Sequence, residues 1–381
     1  VMRVLVNALS IGSLSGRHVL YGHLQQLVKW TAGTHEYVVL HAPHEQPPTN
    51  LPQANVTWTA APKSAVHWTT RSLWETWELP ALLKRNGCDL YFTPNGTVLP
   101  RCAVPQVSLA QNPWCLMPGI PHTWAERAKA RLQRSAYRHA WQHAALMVYN
   151  SQHMRDLYRQ NANGLPESRA CIAYHGVNEA TFAAAEAARN QVDRQPRTIV
   201  SVSTMARWKG AETLVRALDS LRHRGVQAQL RLVGSWPHRD YERLVRQEIA
   251  RLKLEGQVTI VGEVSVEQLH REYASARVFA LMSGCESFGI PAVEAQAFGT
   301  PVVGATGCAM PEIGGEGGVF GRPGDPVTAA DLLEPLLCDD AAWNLLSRRA
   351  LVNVRRFQWE ECSRPLQEMF TLTSSSASTA A

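Results

Sequence analysis

Residues 277–304 constrain the fold of this chain more than any other stretch. They begin with the apolar run RVFALMS at 277–283, which predicts a buried strand. Pro291 suits the first turn of a helix, which needs no N–H from it, and Gly299 suits the position just past the helix end. The segment TPVV at 300–303 predicts the next strand. This strand, turn, helix, strand unit is typical of a parallel sheet, whose ligands bind at the carboxyl ends of the strands, where the turn lies.

The turn ahead of the helix has the chemistry of an anion site. Its N–H groups have no partner within the helix, and the positive end of the helix dipole favours a phosphate. Gly289 allows the backbone to approach a ligand closely. Glu286 enters the turn and Glu294 lies one turn into the helix, and acids so near an anion are better explained as acceptors for hydroxyl groups. The sequence therefore predicts a diphosphate pocket with a sugar on one side and a ribose on the other.

The pattern E-x7-E with F-G-I-P between the acids resembles that of retaining glycosyltransferases of the GT-B architecture, family 4, also called glycosyl transferases group 1. The resemblance implies that Glu286 contacts the donor sugar as a catalytic residue and that Glu294 holds the ribose hydroxyls. Backbone that binds the sugar and diphosphate is then expected at Ser287, Phe288, Gly289 and Ile290. The alternative is that Glu294 only favours the helix start and that Glu286 is a solvated loop acid.

The resemblance extends over nearly the whole chain and implies the fold class. That class is α/β, in the GT-B form of two Rossmann-like, doubly wound domains facing a cleft, with a C-terminal helix crossing back to the first domain. Short apolar strands alternating with helices also indicate doubly wound sheets. The predicted division is an acceptor-side domain, an Ala-rich linker, a nucleotide-sugar domain, a crossover helix and a disordered tail, at 1–180, 181–196, 197–358, 359–371 and 372–381.

A basic turn after the strand at 197–203 supplies candidate cations for the diphosphate. In its sequence, TMARWKG, the Lys209-Gly210 pair matches the family pattern. The family arginine usually stands at the place of Thr204, so Arg207 is the candidate replacement. The resemblance implies that Lys209 and Arg207 are catalytic, because either cation neutralises a leaving diphosphate. The alternative is a basic surface turn.

Three further residues are donor-binding candidates. Gly234 ends a strand where the nucleotide can approach, and Glu263 ends the next strand, beside which the family places the nucleobase. Gly16 follows the first strand, in a loop that resembles the family loop reaching over the donor phosphates. For Gly16 the alternative is that it only shapes a turn.

The strand predicted at 105–110 ends at Gln111 and Asn112, where family members often have a histidine close to the transferred sugar. A neutral amide can hydrogen-bond a sugar hydroxyl but cannot act as a base. We assign Asn112 a contact with the sugar or acceptor, and so a place in the catalytic set. An Asn-Pro turn is the alternative role, and Gln111 and His122 are the other candidates for the contact.

Charge and cysteine usage limit the partners. Residues 1–195 carry 18 Lys and Arg against 11 Asp and Glu, whereas residues 196–381 carry 20 against 21. The basic first half favours an anionic acceptor, a lipid-linked acceptor or a membrane surface, and no nucleic-acid-binding motif accompanies it. No C-x-x-C or Cys/His cluster occurs, which argues against zinc, and the scattered cysteines indicate a reducing cytoplasm. Peripheral contact with the inner membrane face is a further expectation.

These features predict a retaining glycosyltransferase that moves a sugar from a nucleotide-diphosphate sugar to a hydroxyl of a saccharide, lipid-linked saccharide or small molecule. No D-x-D motif occurs, so neither a catalytic metal nor a cofactor is expected. One alternative is a GT-B-shaped sugar-nucleotide epimerase, for which no acid/base pair is evident. Another is a non-catalytic sugar-nucleotide-binding protein. An NAD-dependent oxidoreductase is disfavoured because G-x-G-x-x-G is absent.

Overall fold

The computed structural model describes residues 1–12, 14–48, 51, 55–117, 123–189 and 191–372. Its contacts divide the chain into two units, of which the first contains Val1–Gly176 and the segment from Trp359 onward. The second unit is Val177–Gln358. Nearly all of the tail predicted at 372–381 lies outside the described residues.

The first unit contains a sheet of seven parallel strands in the order β3-β2-β1-β4-β5-β6-β7. The order reverses between β1 and β4, which makes the carboxyl ends of these two strands the place where a doubly wound sheet binds its ligand. The strands are β1 Met2–Asn7, β2 His35–His41, β3 Val56–Ala60, β4 Leu90–Thr93, β5 Gln106–Ala110, β6 Leu146–Tyr149 and β7 Ala170–Ile172.

Helices connect these strands. Two of them, Trp68–Trp77 and Leu79–Arg85, meet near Pro80, which has no N–H to continue a helix. The helices of this unit are α1 Leu14–Trp30, α2 Trp68–Trp77, α3 Leu79–Arg85, α4 Trp124–His143 and α5 Gln152–Ala162, with a 3-10 turn at Lys63–Ala65.

The second unit contains a sheet of six parallel strands in the order β10-β9-β8-β11-β12-β13. Here the order reverses between β8 and β11. The strands are β8 Gln195–Val202, β9 Gln229–Val233, β10 Val258–Gly262, β11 Ala276–Leu281, β12 Val302–Ala305 and β13 Gly318–Gly321. The helices are α6 Glu179–Ala188, α7 Ala211–His223, α8 Arg239–Arg251, α9 Val266–Ser275, α10 Ile290–Ala297, α11 Met310–Gly314, α12 Pro326–Cys338 and α13 Asp340–Asn353, with 3-10 turns at Arg207–Lys209, Gly315–Gly317 and Val354–Phe357.

The predicted linker at 181–196 is wrong, because most of it is ordered structure of the second unit. Its alanines form α6, since alanine is the best helix former. Thr181 is buried, and its hydroxyl lies 3.4 Å from Nε2 of His270 on α9. Arg194 donates to the carbonyl of Phe298 at 2.8 Å. Low apolar bulk therefore indicated small packing residues and not a flexible segment.

Only the first part of the predicted crossover helix at 359–371 is an α-helix. This segment consists of α14, Trp359–Ser363, and a 3-10 helix at Arg364–Thr371. Pro365 lies in the first turn of the 3-10 helix and interrupts the α-helix, because it has no N–H to donate. The segment packs on the first unit, where the Trp359 ring would lie 2.2 Å from a Cβ added at Gly22.

The cores follow from the sheets. Strands of parallel sheets are buried on both faces, and every residue of β11 and β12 is buried.

No helix among the described residues is both long and apolar enough to span a membrane.

Candidate functional site

Two loops of the second unit meet at the carboxyl end of β11. The N–H of Gly284 donates to the carbonyl of Trp208 at 2.8 Å, which joins the turn after β11 to the 3-10 turn at Arg207–Lys209. Gly210 follows with φ +73°, and a Cβ added there would lie 2.5 Å from the carbonyl oxygen of Met282. Only glycine permits this approach, so Gly210 keeps Lys209 beside the turn.

Lys209 and Glu286 form an ion pair at this point. Nζ of Lys209 lies 2.5 Å from Oε1 of Glu286, and their side chains are 18% and 10% exposed. The backbone carbonyl of Glu286 accepts from the N–H of Ala309 at 3.0 Å, which holds the turn against the next loop. An ammonium has three donors, so Lys209 has capacity for an anion beside its carboxylate partner.

The start of α10 completes this arrangement. Gly289 is its N-cap with φ +101°, and no side chain caps the helix there. Pro291 has no N–H, and that of Ala292 donates to the Gly289 carbonyl at 3.0 Å. The start of α10 therefore offers an anion the N–H of Ile290 and the positive end of the helix dipole. Of the backbone predicted to bind the donor, Ser287 and Ile290 are partly exposed, whereas the Phe288 side chain is buried edge-on against Phe357.

Glu294 lies on α10 and has a partner that the sequence does not indicate. Its Oε2 accepts a hydrogen bond from the hydroxyl of Tyr273 on α9 at 3.0 Å. Burial raises the pKa of Glu294 to about 7, against the opposite effect of the Tyr273 hydrogen bond. The Glu294 carboxyl therefore holds its proton to a higher pH than an ordinary glutamate, and a further hydroxyl donor would favour its carboxylate form.

The Arg207 side chain contacts α8. Its Nη2 donates to Oδ2 of Asp240 at 2.6 Å, and its guanidinium lies 5.6 Å from the centre of the Tyr241 ring. Both of these partners belong to α8, and neither belongs to the Lys209–Glu286 pair. The sequence had no signal for Asp240, because its pairing depends on how α8 packs. The diphosphate role of Arg207 stays a prediction.

Gly234 and Glu263 lie at the ends of neighbouring strands, β9 and β10. Gly234 has φ +128°, and a Cβ added there would lie 1.9 Å from the carbonyl oxygen of Ser203. Its N–H donates to the carbonyl of Gly262 at 2.8 Å. The close approach explains the glycine by packing, and the nucleotide contact stays a prediction. Glu263 is exposed at the next strand end.

Gly16 and Asn112, both in the first unit, line one cavity of about 700 Å³ together with Gln111. Oδ1 of Asn112 accepts from the N–H of Trp114 at 3.3 Å, as expected for an Asn-Pro turn. Asn112 is exposed, and its contact with the sugar or acceptor stays a prediction. His122, the remaining candidate, lies outside the described residues.

The match to a known protein family lies within the second unit. The family model described as glycosyl transferases group 1 matches residues 184–351. The D-inositol 3-phosphate glycosyltransferase of Corynebacterium diphtheriae is 29% identical over 238 residues, which cover 59% of this chain and 55% of that enzyme. The O-antigen chain mannosyltransferase B of Escherichia coli is 35% identical over 118 residues, 31% of each chain. The chain thus aligns with about half or less of the length of these curated relatives.

Solved structures match over the whole chain. Sucrose-phosphate synthase from Thermosynechococcus elongatus superposes with a TM-score of 0.77 at 19% identity, covering 99% of this chain and 100% of that one. The Anabaena protein HepE, solved in complex with UDP-glucose, superposes with a TM-score of 0.70 at 20% identity, covering 97% of this chain and 100% of that one. At such identities the likeness establishes the fold.

Proposed function

We propose that this chain, whose residues 184–351 match the glycosyl transferases group 1 family and which has the predicted GT-B fold, is a retaining transferase that moves a sugar from a nucleotide-diphosphate sugar to an acceptor hydroxyl. The observation that carries the proposal is the 2.5 Å contact between Lys209 Nζ and Glu286 Oε1 beside the start of α10. The cation and the helix N-terminus suit a diphosphate, and the carboxylate suits sugar hydroxyls.

In this proposal the chain's residues act by positioning and by stabilising charge. The bond between the anomeric carbon and the diphosphate breaks, and Lys209 and the N-terminal end of α10 stabilise the negative charge of the leaving group. Glu286 orients the donor sugar and Glu294 holds the ribose. The acceptor oxygen bonds to the anomeric carbon on the face that the diphosphate leaves, and its proton passes to the departing diphosphate. Configuration is then retained.

The first experiment is a thermal-shift assay with UDP, GDP, ADP and dTDP. A nucleotide that binds the folded state raises the melting temperature by mass action, about 2.7 kcal/mol at a hundredfold excess over Kd. UDP is the first candidate because HepE was solved with UDP-glucose. We expect one diphosphate to shift wild type and to lose most of that shift in Lys209→Ala. Equal shifts in both proteins, or none with any nucleotide, would contradict the proposed donor site.

Product analysis tests the remaining parts of the proposal. NMR of the product is expected to show the same anomeric configuration as the donor. Transfer is also expected to persist in EDTA, because Lys209 supplies the positive charge beside the diphosphate. Inverted product or an EDTA-abolished reaction would refute retention or metal independence respectively, and epimerised donor without an acceptor would favour the epimerase alternative.

We propose further that the first unit contacts an anionic membrane surface. Helices α2 and α4 both line the cavity that Gly16 and Asn112 share, and both expose large apolar side chains. The exposed fractions are 64% for Leu73, 66% for Trp77, 84% for Trp124 and 71% for Leu132. The Arg127 guanidinium lies 5.1 Å from the Trp124 ring centre, and that of Arg101 lies 6.0 Å from the Trp77 ring centre. Tryptophan beside arginine suits a negatively charged headgroup layer.

Vesicle sedimentation tests this contact. We expect binding to vesicles that contain phosphatidylglycerol, weak binding to pure phosphatidylcholine, and loss of binding in the double variant Trp77→Ser, Trp124→Ser. The matched control is Val352→Ser, which removes an apolar side chain that is 67% exposed in the second unit. Undiminished sedimentation of the double variant would contradict the contact.

A further inference from the structure

The cavity of about 700 Å³ in the first unit lies at the point where the strand order of that sheet reverses. Ser10 follows β1, and Pro94 and Asn95 follow β4, and all three line it. Helices α2 and α4 supply further parts of its wall. The volume is in the range of small-molecule sites, about 300–1,000 Å³. Its place in the sheet is therefore that of a ligand site.

Glu75 of α2 is held in the wall of this cavity by the end of β1. Its Oε1 accepts from Nδ2 of Asn7 at 2.8 Å, and the same Nδ2 donates to the hydroxyl of Tyr91 at 2.8 Å. Oδ1 of Asn7 accepts from the N–H of Leu9 at 3.1 Å. Asn7 is fully buried and its amide has one orientation only, because both its donor and its acceptor are used. It therefore fixes the carboxyl of Glu75, whose Oε2 has no partner among the described residues.

Arg71 lies one helical turn before Glu75 and lines the same cavity. Its Nη1 donates to the carbonyl of Leu9 at 2.7 Å. Opposite charges four residues apart on a helix ordinarily pair, yet no ion pair within 4 Å joins Arg71 to Glu75 in the part of the chain that the structure describes. Instead, Glu75 binds Asn7 at the end of β1, and Arg71 binds Leu9, two residues after it. Nε and the second terminal nitrogen of Arg71 have no hydrogen-bond partner among the described residues, which leaves them for a ligand.

The opposite wall adds a cation and an aromatic ring. Trp114 and Lys129 both line the cavity, and Nζ of Lys129 lies 5.7 Å from the centre of the Trp114 ring. Aromatic faces pack on the C–H faces of sugar rings, and a second cation makes the cavity attractive to an anion. Two cations against one carboxyl, which burial also disfavours in its charged form, indicate a ligand with a negative group.

We propose that this cavity binds the acceptor and selects a polyhydroxy compound that carries an oxyanion, either a phosphate or a carboxylate. Arg71 binds the oxyanion through its unused N–H groups, and Glu75 accepts a hydrogen bond from a hydroxyl of the same compound. This inference rests on the proposed transfer reaction, and it adds the class of acceptor and the residues that select it.

The test measures binding of three probes to the full chain by calorimetry: glucose 6-phosphate, glucuronate and glucose. The first two carry a phosphate and a carboxylate, and glucose is the neutral match. We expect at least one anionic probe to bind at least tenfold more tightly than glucose. Arg71→Gln is expected to abolish this preference, Arg71→Lys to keep part of it, and Glu75→Gln to weaken all three probes about equally. Arg85→Gln, an exposed arginine on α3 away from the cavity, is the control for net charge.

Two outcomes would overturn the inference: glucose binding as tightly as both anionic probes, or a preference that survives Arg71→Gln. Melting temperatures of all variants show which remain folded, and Glu75→Gln keeps an oxygen that Asn7 can bind. UDP binding, measured on the same samples, separates this inference from the proposed function. A chain that binds UDP without an anionic preference contradicts the acceptor class alone. A chain with the preference and no nucleotide binding contradicts the donor site alone.

Discussion

The two units place polar residues at the same point of their sheets and use them differently. At the β8/β11 reversal, Lys209 and Glu286 are paired with each other at 2.5 Å. At the β1/β4 reversal, Arg71 and Glu75 are bound to residues at or just after the end of β1 and not to one another. The Lys209–Glu286 pair suits a ligand whose anionic group and hydroxyl groups lie close together. Arg71 and Glu75, which do not pair, suit a ligand whose charged and neutral ends lie apart.

The first and largest expected effect is a difference in kinetics: a variant in the second unit lowers kcat, whereas a variant in the first unit raises KM. Lys209→Ala is expected to lower kcat about 10²–10³-fold with every acceptor, because it removes stabilisation of the leaving group. Arg71→Gln is expected to raise KM for an anionic acceptor and to leave kcat nearly unchanged. Arg243→Ala, an exposed arginine on α8, is the control for the second unit. An unchanged kcat in Lys209→Ala would remove the catalytic distinction between the two sites.

The second prediction concerns the glycines of the two sites. Gly234→Ala is expected to cost about 3 kcal/mol of unfolding free energy, because its φ is positive and the obstacle, the Ser203 carbonyl at 1.9 Å, is backbone. Gly289→Ala is expected to cost about 1–2 kcal/mol, since the Met310 sulfur at 2.7 Å can move. Gly12→Ala, in the loop after β1, is expected to change the unfolding free energy little, because an added Cβ there would have no atom within 4 Å. Urea unfolding measures all three, and equal costs would contradict the difference in packing.

The third prediction uses the raised pKa of Glu294, about 7 against an ordinary 4.5. The folded state holds a proton that the unfolded state releases, so the stability of the second unit falls as pH rises from about 4.5 through 7. Glu294→Gln is expected to flatten this slope and to stabilise the unit by about 1–3 kcal/mol at pH 8, while weakening nucleotide binding. Unfolding at pH 5 and pH 8 checks the slope, and an unchanged slope in the variant would show that another group causes it.

The fourth and smallest effect has the opposite sign and belongs to the first unit. Burial lowers the pKa of His23 to about 3, with the nearby His18 adding to the effect. Protonation therefore favours the unfolded state below about pH 6.5, and His23 alone is expected to cost about 1 kcal/mol between pH 7 and 5.5. His23→Gln is expected to remove that part of the slope, although it also changes the 2.8 Å contact with Ser363. The comparison therefore uses the pH dependence of the unfolding free energy and not its absolute value, because loss of the Ser363 contact changes the absolute value at every pH.

The origin of each site in the chain explains how far sequence analysis reaches. The proposed donor site comes from two short segments, 207–210 and 284–294, in which proline, glycine and the acids stand in a fixed local order. The cavity of the first unit combines Asn7, Arg71 and Glu75 with residues beyond position 110, and no spacing marks them as a set. Asn7 does end an apolar strand, which is the one signal that could have pointed to it.

The strand, turn, helix, strand order around Glu286 can be predicted from proline, glycine and apolar spacing over a few residues. These local preferences do not depend on distant parts of the chain. Three contacts arise only when the chain folds: Lys209 with Glu286 across 77 positions, Arg207 with Asp240, and Tyr273 with Glu294. Those contacts depend on strand order and helix packing, which bring together residues that no local rule relates.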